Sequence, residues 1–336
     1  MGALVASPGL KAQSIRTITF DGEALHRLYS ELRADERHDL KGVLVMTCGQ
    51  LGSEEYFNGG GPDVLHDIRS AGKSITALLT GVSIDRGLIR TVQQPFVDLL
   101  RVTGHRDKAA ITLEHLLTMR SGLAANDEDA ASPGNENNLD LSPAWLDFAL
   151  SVPIQEPAGK TYRYCSLNAF LAGAVVEKSS GIHLDNFARE HIFSTLRIDR
   201  FEWRRGPDGY TAGQGNLRIT LRAMGSLGQL VLDKGRSSDK QLISRSWIDR
   251  STASKVAISH ADPYADAYGY MWYTRTHQVG TKRIRVHFAS GNGGNKIYVI
   301  PELETVVAIA SAAYGRGYGQ RRSQEILLRI LGSVRG

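Results

Sequence analysis

Between Arg69 and Gly87 the chain reads RSAGKSITALLTGVSIDRG, with Ile75, Leu78, Leu79, Val82 and Ile84 recurring at roughly helical spacing. The pattern predicts a helix with an apolar face to bury and a stop at Gly87. Upstream, residues 22–34 predict an amphipathic helix with Asp21 as its cap. Residues 42–48 and 53–57 predict two strands joined by a Gly-containing turn around Gly49 to Gly52. The run Gly59-Gly60-Gly61-Pro62 predicts the loop into the Ser70 helix. Helical patterns follow at 112–119, 143–151, 167–180, 184–195 and 219–233, and from about Arg321 to Leu331. β character returns late, at 268–275, 283–290, 296–300 and 305–311. Strands at both ends with helices between them predict an α/β (α+β) fold, one sheet built from both chain ends with a helical lobe inserted. The expected division is 1–68 with 217–336 for the sheet lobe and 69–216 for the helical lobe, with a site between them.

Composition narrows the class. The chain has 336 residues, 42% hydrophobic and 22% charged, which suits a soluble globular protein of two lobes. The net charge of +5 is mild, and Arg316, Arg321, Arg322, Arg329 and Arg335 are spread out. They read as solvated surface, so no nucleic-acid partner is expected. Cys48 and Cys165 have neither metal-like spacing nor a disulfide framework, and Cys48, in GVLVMTC, reads as a buried thiol. The start, MGALVASPGLK, lacks a basic region and an apolar core long enough for a signal peptide, and Ala6 breaks the myristoylation pattern. No apolar run approaches a membrane span, so a cytoplasmic protein acting on a small molecule is expected.

Three elements carry chemistry. Ser70 and Lys73 lie three apart and share one face of the first helical turn. Free backbone N–H groups and the helix dipole favour negative charge there. A lysine kept partly neutral by burial or a neighbouring cation can take the hydroxyl's proton. Gly72 between them suggests room for close approach to the serine. Ser237 and Lys240 repeat the spacing in a polar stretch, where a solvated turn is expected. Tyr164, on the turn before an apolar helical stretch, can shuttle a proton to and from a serine oxygen, and Ser166 can bond the lysine or a substrate amide. Tyr56-Phe57-Asn58 matches the same short pattern, but inside a strand. The third element is ASGNGGNKIYVIPE, residues 289–302, whose glycines suit close approach of a ligand and a backbone N–H donor for an oxyanion. The sequence contains no HExxH, no Gly-x-Ser-x-Gly elbow and no phosphate-binding loop, and its ten histidines are scattered, so neither cofactor nor metal is expected.

In this order the elements resemble the serine β-lactamase and penicillin-binding-protein superfamily. The branch they look most like is the class C β-lactamase-related one, which includes family VIII carboxylesterases and 6-aminohexanoate-dimer hydrolases. The resemblance runs from about Leu40 to the C-terminus and includes TLEHLLTMRSGL, EPAGKTYRYCS, LGQLVLDKG and GGNKIYVIPELETVVAI. It implies a β-lactamase/transpeptidase-like fold with an antiparallel sheet. It also implies Ser70 as acylated nucleophile, Lys73 as its proton acceptor and electrostatic partner, and Tyr164 as general base, with Ser166 where the branch often has asparagine. The strand motif, commonly Lys-Thr-Gly, falls on Ala289-Ser290-Gly291, and Asn292, within one position, gives the second oxyanion N–H. Ala289 removes a lysine that holds a substrate carboxylate, and His287, two residues earlier on the same strand face, is the expected compensation. No acidic residue is placed in sequence as an activator of water, and Glu156 reads as structural.

The expected activity is a cofactor-independent serine hydrolase that cleaves an ester or amide through an acyl-enzyme, with transfer of the acyl group to another nucleophile as a variant. A β-lactamase or D-amino-acid peptidase is a second reading, and a non-catalytic binding module with the same fold is a third. Specificity is expected from the 121–143 loop, from 203–216 with Trp203 and Tyr210, and from 259–275 with Tyr264, Tyr268 and Trp272.

Overall fold

A computed structural model describes residues 18–335. The readings made on the first residues of the chain lie outside them. In chain order, β1 (Thr19–Phe20) and α1 (Gly22–Arg33) lead into a hairpin of β2 (Leu40–Thr47) and β3 (Gln50–Tyr56). Asp21 caps α1 as expected, its carboxylate accepting from the Glu23 and Ala24 N–H groups. β4 (His66–Asp67) and a turn of 3-10 helix, Arg69–Ala71, precede α2 (Gly72–Asp85). The helical section comprises α3 (Phe96–Leu100), α4 (Leu113–Leu117), α5 (Glu136–Leu141), α6 (Trp145–Ser151), α7 (Ser166–Ser180) and α8 (Leu184–Ala188). After it come β5 (Phe201–Trp203), β6 (Leu217–Ile219), α9 (Leu221–Leu232), β7 (Arg236–Ser237), β8 (Lys240–Gln241) and α10 (Arg245–Thr252). The chain closes with β9 (Val256–Ala257), β10 (Ala267–Tyr268), β11 (Tyr273–Val279), β12 (Lys282–Gly291), β13 (Asn295–Ile300), β14 (Thr305–Ser311), α11 (Tyr318–Gly332) and β15 (Val334–Arg335).

The main sheet has eight strands in the order β3-β2-β14-β13-β12-β11-β10-β9, all antiparallel. The two chain ends meet at β2 and β14, where Val307 faces Val45 and Ile309 faces Val43. Both strands are buried over most of their length, hence their near-continuous Val, Leu and Ile. α9 packs on this sheet so closely that a Cβ at Gly228 would lie 2.5 Å from Val306. β4, β5 and β6 form a small sheet across the boundary expected at residues 68 and 217.

Four details depart from the sequence reading. α2 is buried from Gly72 to Ser83 on every side, not on one face. Its hydroxyls are satisfied internally, Thr76 by the Gly213 carbonyl and Thr80 and Ser83 by carbonyls four residues back. The stretch 268–275 is not one strand but a tight turn between β10 and β11, with Tyr268 opposite Tyr273 and Met271 at φ +58°. Cys48 is exposed because it sits in the β2–β3 turn at φ +49°, which lifts it out of the apolar run it terminates. Arg322 is only 4% exposed and ties α11 to Asp35, Asp39 and the Ser311 hydroxyl, while Arg316, Arg321, Arg329 and Arg335 lie on the surface. Ser237 and Lys240 pair across the β7–β8 hairpin, a solvated turn. Among the described residues no helix is long and apolar enough to cross a membrane.

Candidate active site

Ser70 lies in the 3-10 turn that feeds α2, entered through Arg69 at φ +51°. The end of β12 is pressed against this turn. A Cβ on Gly291 would stand 2.0 Å from the Ile68 carbonyl oxygen and 3.2 Å from the Ala71 nitrogen, so only glycine lets strand and turn meet. The close approach expected at Gly72 is made by the chain itself, since a Cβ there would lie 3.2 Å from the Gly215 Cα. That contact brings the Gln214 carbonyl over Lys73.

Lys73 is 1% exposed, and all three N–H bonds of its ammonium are used. They go to Ser70 Oγ at 2.9 Å, Ser166 Oγ at 3.0 Å and the Gln214 carbonyl at 2.7 Å. Burial alone pulls Lys73 toward the neutral amine. The Tyr164 phenol and the Asp127 and Glu136 carboxylates outweigh that pull and hold its pKa above the ordinary lysine value. The lysine is therefore a cation at rest, not the partly neutral base its burial suggests. Its Nζ lies 5.1 Å from the centre of the Tyr164 ring. Ser166, the first residue of α7, anchors the other side: its N–H donates to Asp127 at 2.6 Å and its hydroxyl to Glu136 at 2.9 Å.

Those two carboxylates come from the 121–143 segment. It is laced by Asn135, whose amide donates to the Asn126, Asp127 and Asp129 carbonyls. Burial raises the Asp127 pKa; the Lys73 charge opposes this and Glu136 adds to it.

On the opposite wall, strand parity divides the residues expected there. Ser290 faces Lys296 across the β12–β13 ladder, and Lys296 Nζ donates to Ser290 Oγ at 2.7 Å. His287 shares its face with Ala289, but that face turns away from Ser290, and the imidazole bonds Thr274 Oγ1 at 3.0 Å. Burial pushes the His287 pKa down to about 4. The compensation expected of His287 is therefore not made there; the ammonium on this wall is Lys296, 2% exposed, with its pKa pushed down to about 7 by burial. Asn292 is held by its own side chain, which accepts from the Gly315 N–H at 2.8 Å, and Gly291 accepts from Gln320 at 2.8 Å.

Ser70 opens into a cavity of about 500 Å³ that it shares with Tyr164, Ser290, Gly291, Asn292 and Lys296. Asp127, Glu136, Asp262, Tyr162, Tyr264 and Arg163 are among the polar and aromatic residues of its other walls. A smaller cavity of about 140 Å³, on the side of Gln214 and Asn216, also reaches Ser70, Glu136 and Asn292. Of the aromatic residues expected to set specificity, Tyr264 lines the large cavity. Tyr268 and Trp272 are buried, Trp203 is spent on the Ala212 and Gly215 carbonyls, and Tyr210 borders a separate groove. Glu156 pairs with Arg163 and Thr161 within its own loop. Asp127, Glu136, Gln214 and Lys296 were not singled out in sequence. The signal lies in the segments that hold them, 121–143 for the two carboxylates, 203–216 for Gln214 and 289–302 for Lys296. Among the described residues no group of three or more His, Cys, Asp or Glu is placed to hold a metal ion.

The site is thus a hydroxyl at the start of a buried helix, bonded to a fully coordinated ammonium, with a phenol and two carboxylates around it. Comparison with known proteins bears on the family and the fold. The chain is 22% identical over 289 residues to a 6-aminohexanoate-dimer hydrolase of Paenarthrobacter ureafaciens, covering 80% of this chain and 71% of that one. Its fold matches a beta-lactamase/D-alanine carboxypeptidase from Yersinia pestis with a TM-score of 0.69 at 17% identity, over 93% of this chain and 100% of that one. It also matches a class C beta-lactamase from Rhodobacter sphaeroides with a TM-score of 0.66 at 16% identity, over 92% of this chain and 99% of that one. The family described as Beta-lactamase matches residues 28–329, nearly the whole described chain, and with the antiparallel sheet and the Ser70 helix in their expected places, this protein belongs to that family of serine hydrolases.

Proposed function

We propose that the protein cleaves an ester or amide by forming an acyl-enzyme on Ser70. The observation that carries this reading is the Lys73 ammonium, which donates to Ser70 Oγ from a site where all its other N–H bonds are taken. A charge so placed favours the serine alkoxide over the alcohol. Because Lys73 already carries its proton, Tyr164 is assigned as the group that accepts the Ser70 proton and returns it to the leaving group. The backbone N–H groups of Ser70 and Asn292 are assigned to the oxyanion of the tetrahedral intermediate. The similarity to a 6-aminohexanoate-dimer hydrolase supports an amide as one substrate class.

Intact mass after exposure to a serine-directed phosphonate and to p-nitrophenyl esters of graded acyl length tests the reading. An adduct on the wild type that is absent from Ser70→Ala is expected. A folded wild type that takes no adduct refutes it, and favours a binding module. Product analysis in the presence of an added amine or alcohol separates hydrolysis from acyl transfer, which use the same residues.

One observation favours a narrower reading. Lys296 offers the cavity an amino group where Ala289 has none, protonated below about pH 7, and a carboxylate-bearing β-lactam or D-amino-acid peptide is the substrate that its charged form suits. Turnover of a chromogenic cephalosporin at a rate matching simple esters is the result that supports it.

A further inference from the structure

We infer that the side-chain carboxamide of Gln214 is a substrate-binding group that pairs with an amide carried by the acyl part of the substrate. The inference rests on the acyl-enzyme reading above and names the chemistry of the acyl group.

Gln214 is only 5% exposed, and among the described residues its Oε1 has no hydrogen-bond partner. Buried polar side chains in folded proteins are paired, because an unpaired one gives up water and gains nothing in return. The segment that carries Gln214 is held from several sides. The Thr76 hydroxyl donates to the Gly213 carbonyl at 2.6 Å, and Trp203 Nε1 donates to the Ala212 and Gly215 carbonyls, each at 2.9 Å. The Gln214 carbonyl itself accepts from Lys73 at 2.7 Å. A Cβ on Gly213 would lie 3.1 Å from the Gly173 Cα, and one on Gly215 3.0 Å from the Arg69 carbonyl oxygen, so α7 and the Ser70 turn clamp the backbone between them. The backbone is thus fixed while Oε1 goes unpaired, beside a cavity of about 140 Å³ that reaches Ser70. A polar group presented rigidly next to a nucleophile, with its own hydrogen bonds unmade, is matched to a ligand.

Two cavities meet at Ser70, and a substrate whose scissile carbon sits there has two arms to place. Tyr164, assigned to return the proton to the leaving group, lines the larger cavity and not the smaller. The leaving group therefore occupies the larger cavity, with Lys296, and the acyl arm enters the smaller, with Gln214 and Asn216. The smaller space takes a short arm of a few heavy atoms. The last torsion of a glutamine side chain is soft, so the carboxamide turns to meet that arm. It offers an acceptor and a donor together, the complement of a second amide: the substrate N–H goes to Oε1 and the substrate carbonyl accepts from Nε2. An acylamino acid or peptide-like acyl group carries that pair close to the scissile carbonyl. A plain alkyl chain does not.

The test uses two p-nitrophenyl esters of nearly equal shape, the N-acetylglycinate and the 4-oxopentanoate, in which a methylene replaces the N–H. With each corrected for its reactivity toward hydroxide, wild type is expected to show kcat/KM about tenfold or more higher for the N-acetylglycinate. Gln214→Leu and Gln214→Met are expected to bring that ratio to about one. Their melting temperatures are expected at or above that of wild type, because an apolar chain there leaves no polar atom unpaired. A wild type that does not distinguish the two esters overturns the inference, whether or not the variants fold. A preference that survives in both variants overturns it as well. Failure of the underlying reading looks different: quenched intact mass then shows no acyl group on Ser70 with either ester.

Discussion

Lys296 stands directly opposite Ser290 on the neighbouring strand, and its ammonium donates to the Ser290 hydroxyl at 2.7 Å. The contact gives Lys296 one acceptor for three donors, above the Phe288 ring with 4.8 Å to its centroid. Burial lowers its pKa to about 7, with the more distant Asp262 carboxylate opposing. The unfolded chain binds this proton up to about pH 10.5 and the folded chain only to about pH 7, so stability rises with pH across that window. Lys296→Met is therefore expected to stabilise the protein near pH 7, by an amount on the order of a few kcal/mol. That gain should vanish by about pH 10. Thermal melts from pH 6 to 10 check this. The same variant is expected to raise KM for carboxylate-bearing esters about tenfold more than for neutral ones.

Gly291 makes a sharper demand. Gly291→Ala would drive a methyl group into the Ile68 carbonyl, 2.0 Å away, and neither partner is a flexible side chain. The strand must withdraw from the Ser70 turn, which separates the two backbone donors assigned to the oxyanion. A fall in kcat/KM of about 10²-fold or more is expected, with a lower melting temperature. Gly22→Ala, where an added Cβ meets nothing within 4 Å, is the control and is expected to leave both unchanged or slightly raise stability.

Acid sensitivity should track two histidines. Burial pushes His66 and His287 down to about 4, so both are neutral in the fold. Below pH 6.5 the unfolded chain takes up protons that the folded chain refuses, and stability is lost as the pH falls toward 4. Allowing for water near each ring, roughly 1–2 kcal/mol per histidine is at stake. Denaturant titrations at pH 7 and 4.5 are expected to show that loss in the wild type and a smaller one in His66→Asn.

Asp127 stands with Tyr164 and Glu136 among the groups that hold the charge on Lys73. Its carboxylate is one of the groups that raise the lysine's pKa, so Asp127→Asn should lower it. Activity that needs the ammonium then fades at lower pH than in wild type, seen as an acid-ward shift of the alkaline limb of kcat/KM. An unchanged limb would mean that Lys73 is held charged by Tyr164 and Glu136 alone.

The amino-acid sequence by itself determined what is local or periodic. The α1 cap at Asp21, the Ser70–Lys73 face, the turn before α7 and the valine- and isoleucine-rich strands each follow from side chains a few residues apart. What only the tertiary structure decided is which distant groups meet. Gln214 reaches Lys73 across 141 positions and Asp127 reaches Ser166 across 39, through loops that carry no repeat to read. Lys296 sits in a strand buried from end to end, where only the register with Ser290 reveals that it faces the cavity. His287 and Cys48 fail for a related reason: strand parity and a left-handed turn, not composition, set the direction of a side chain. Local propensity fixes where the backbone bends and which face is apolar. The electrostatics of the site depend on distances between chain segments, and those exist only once the sheet has closed over α2.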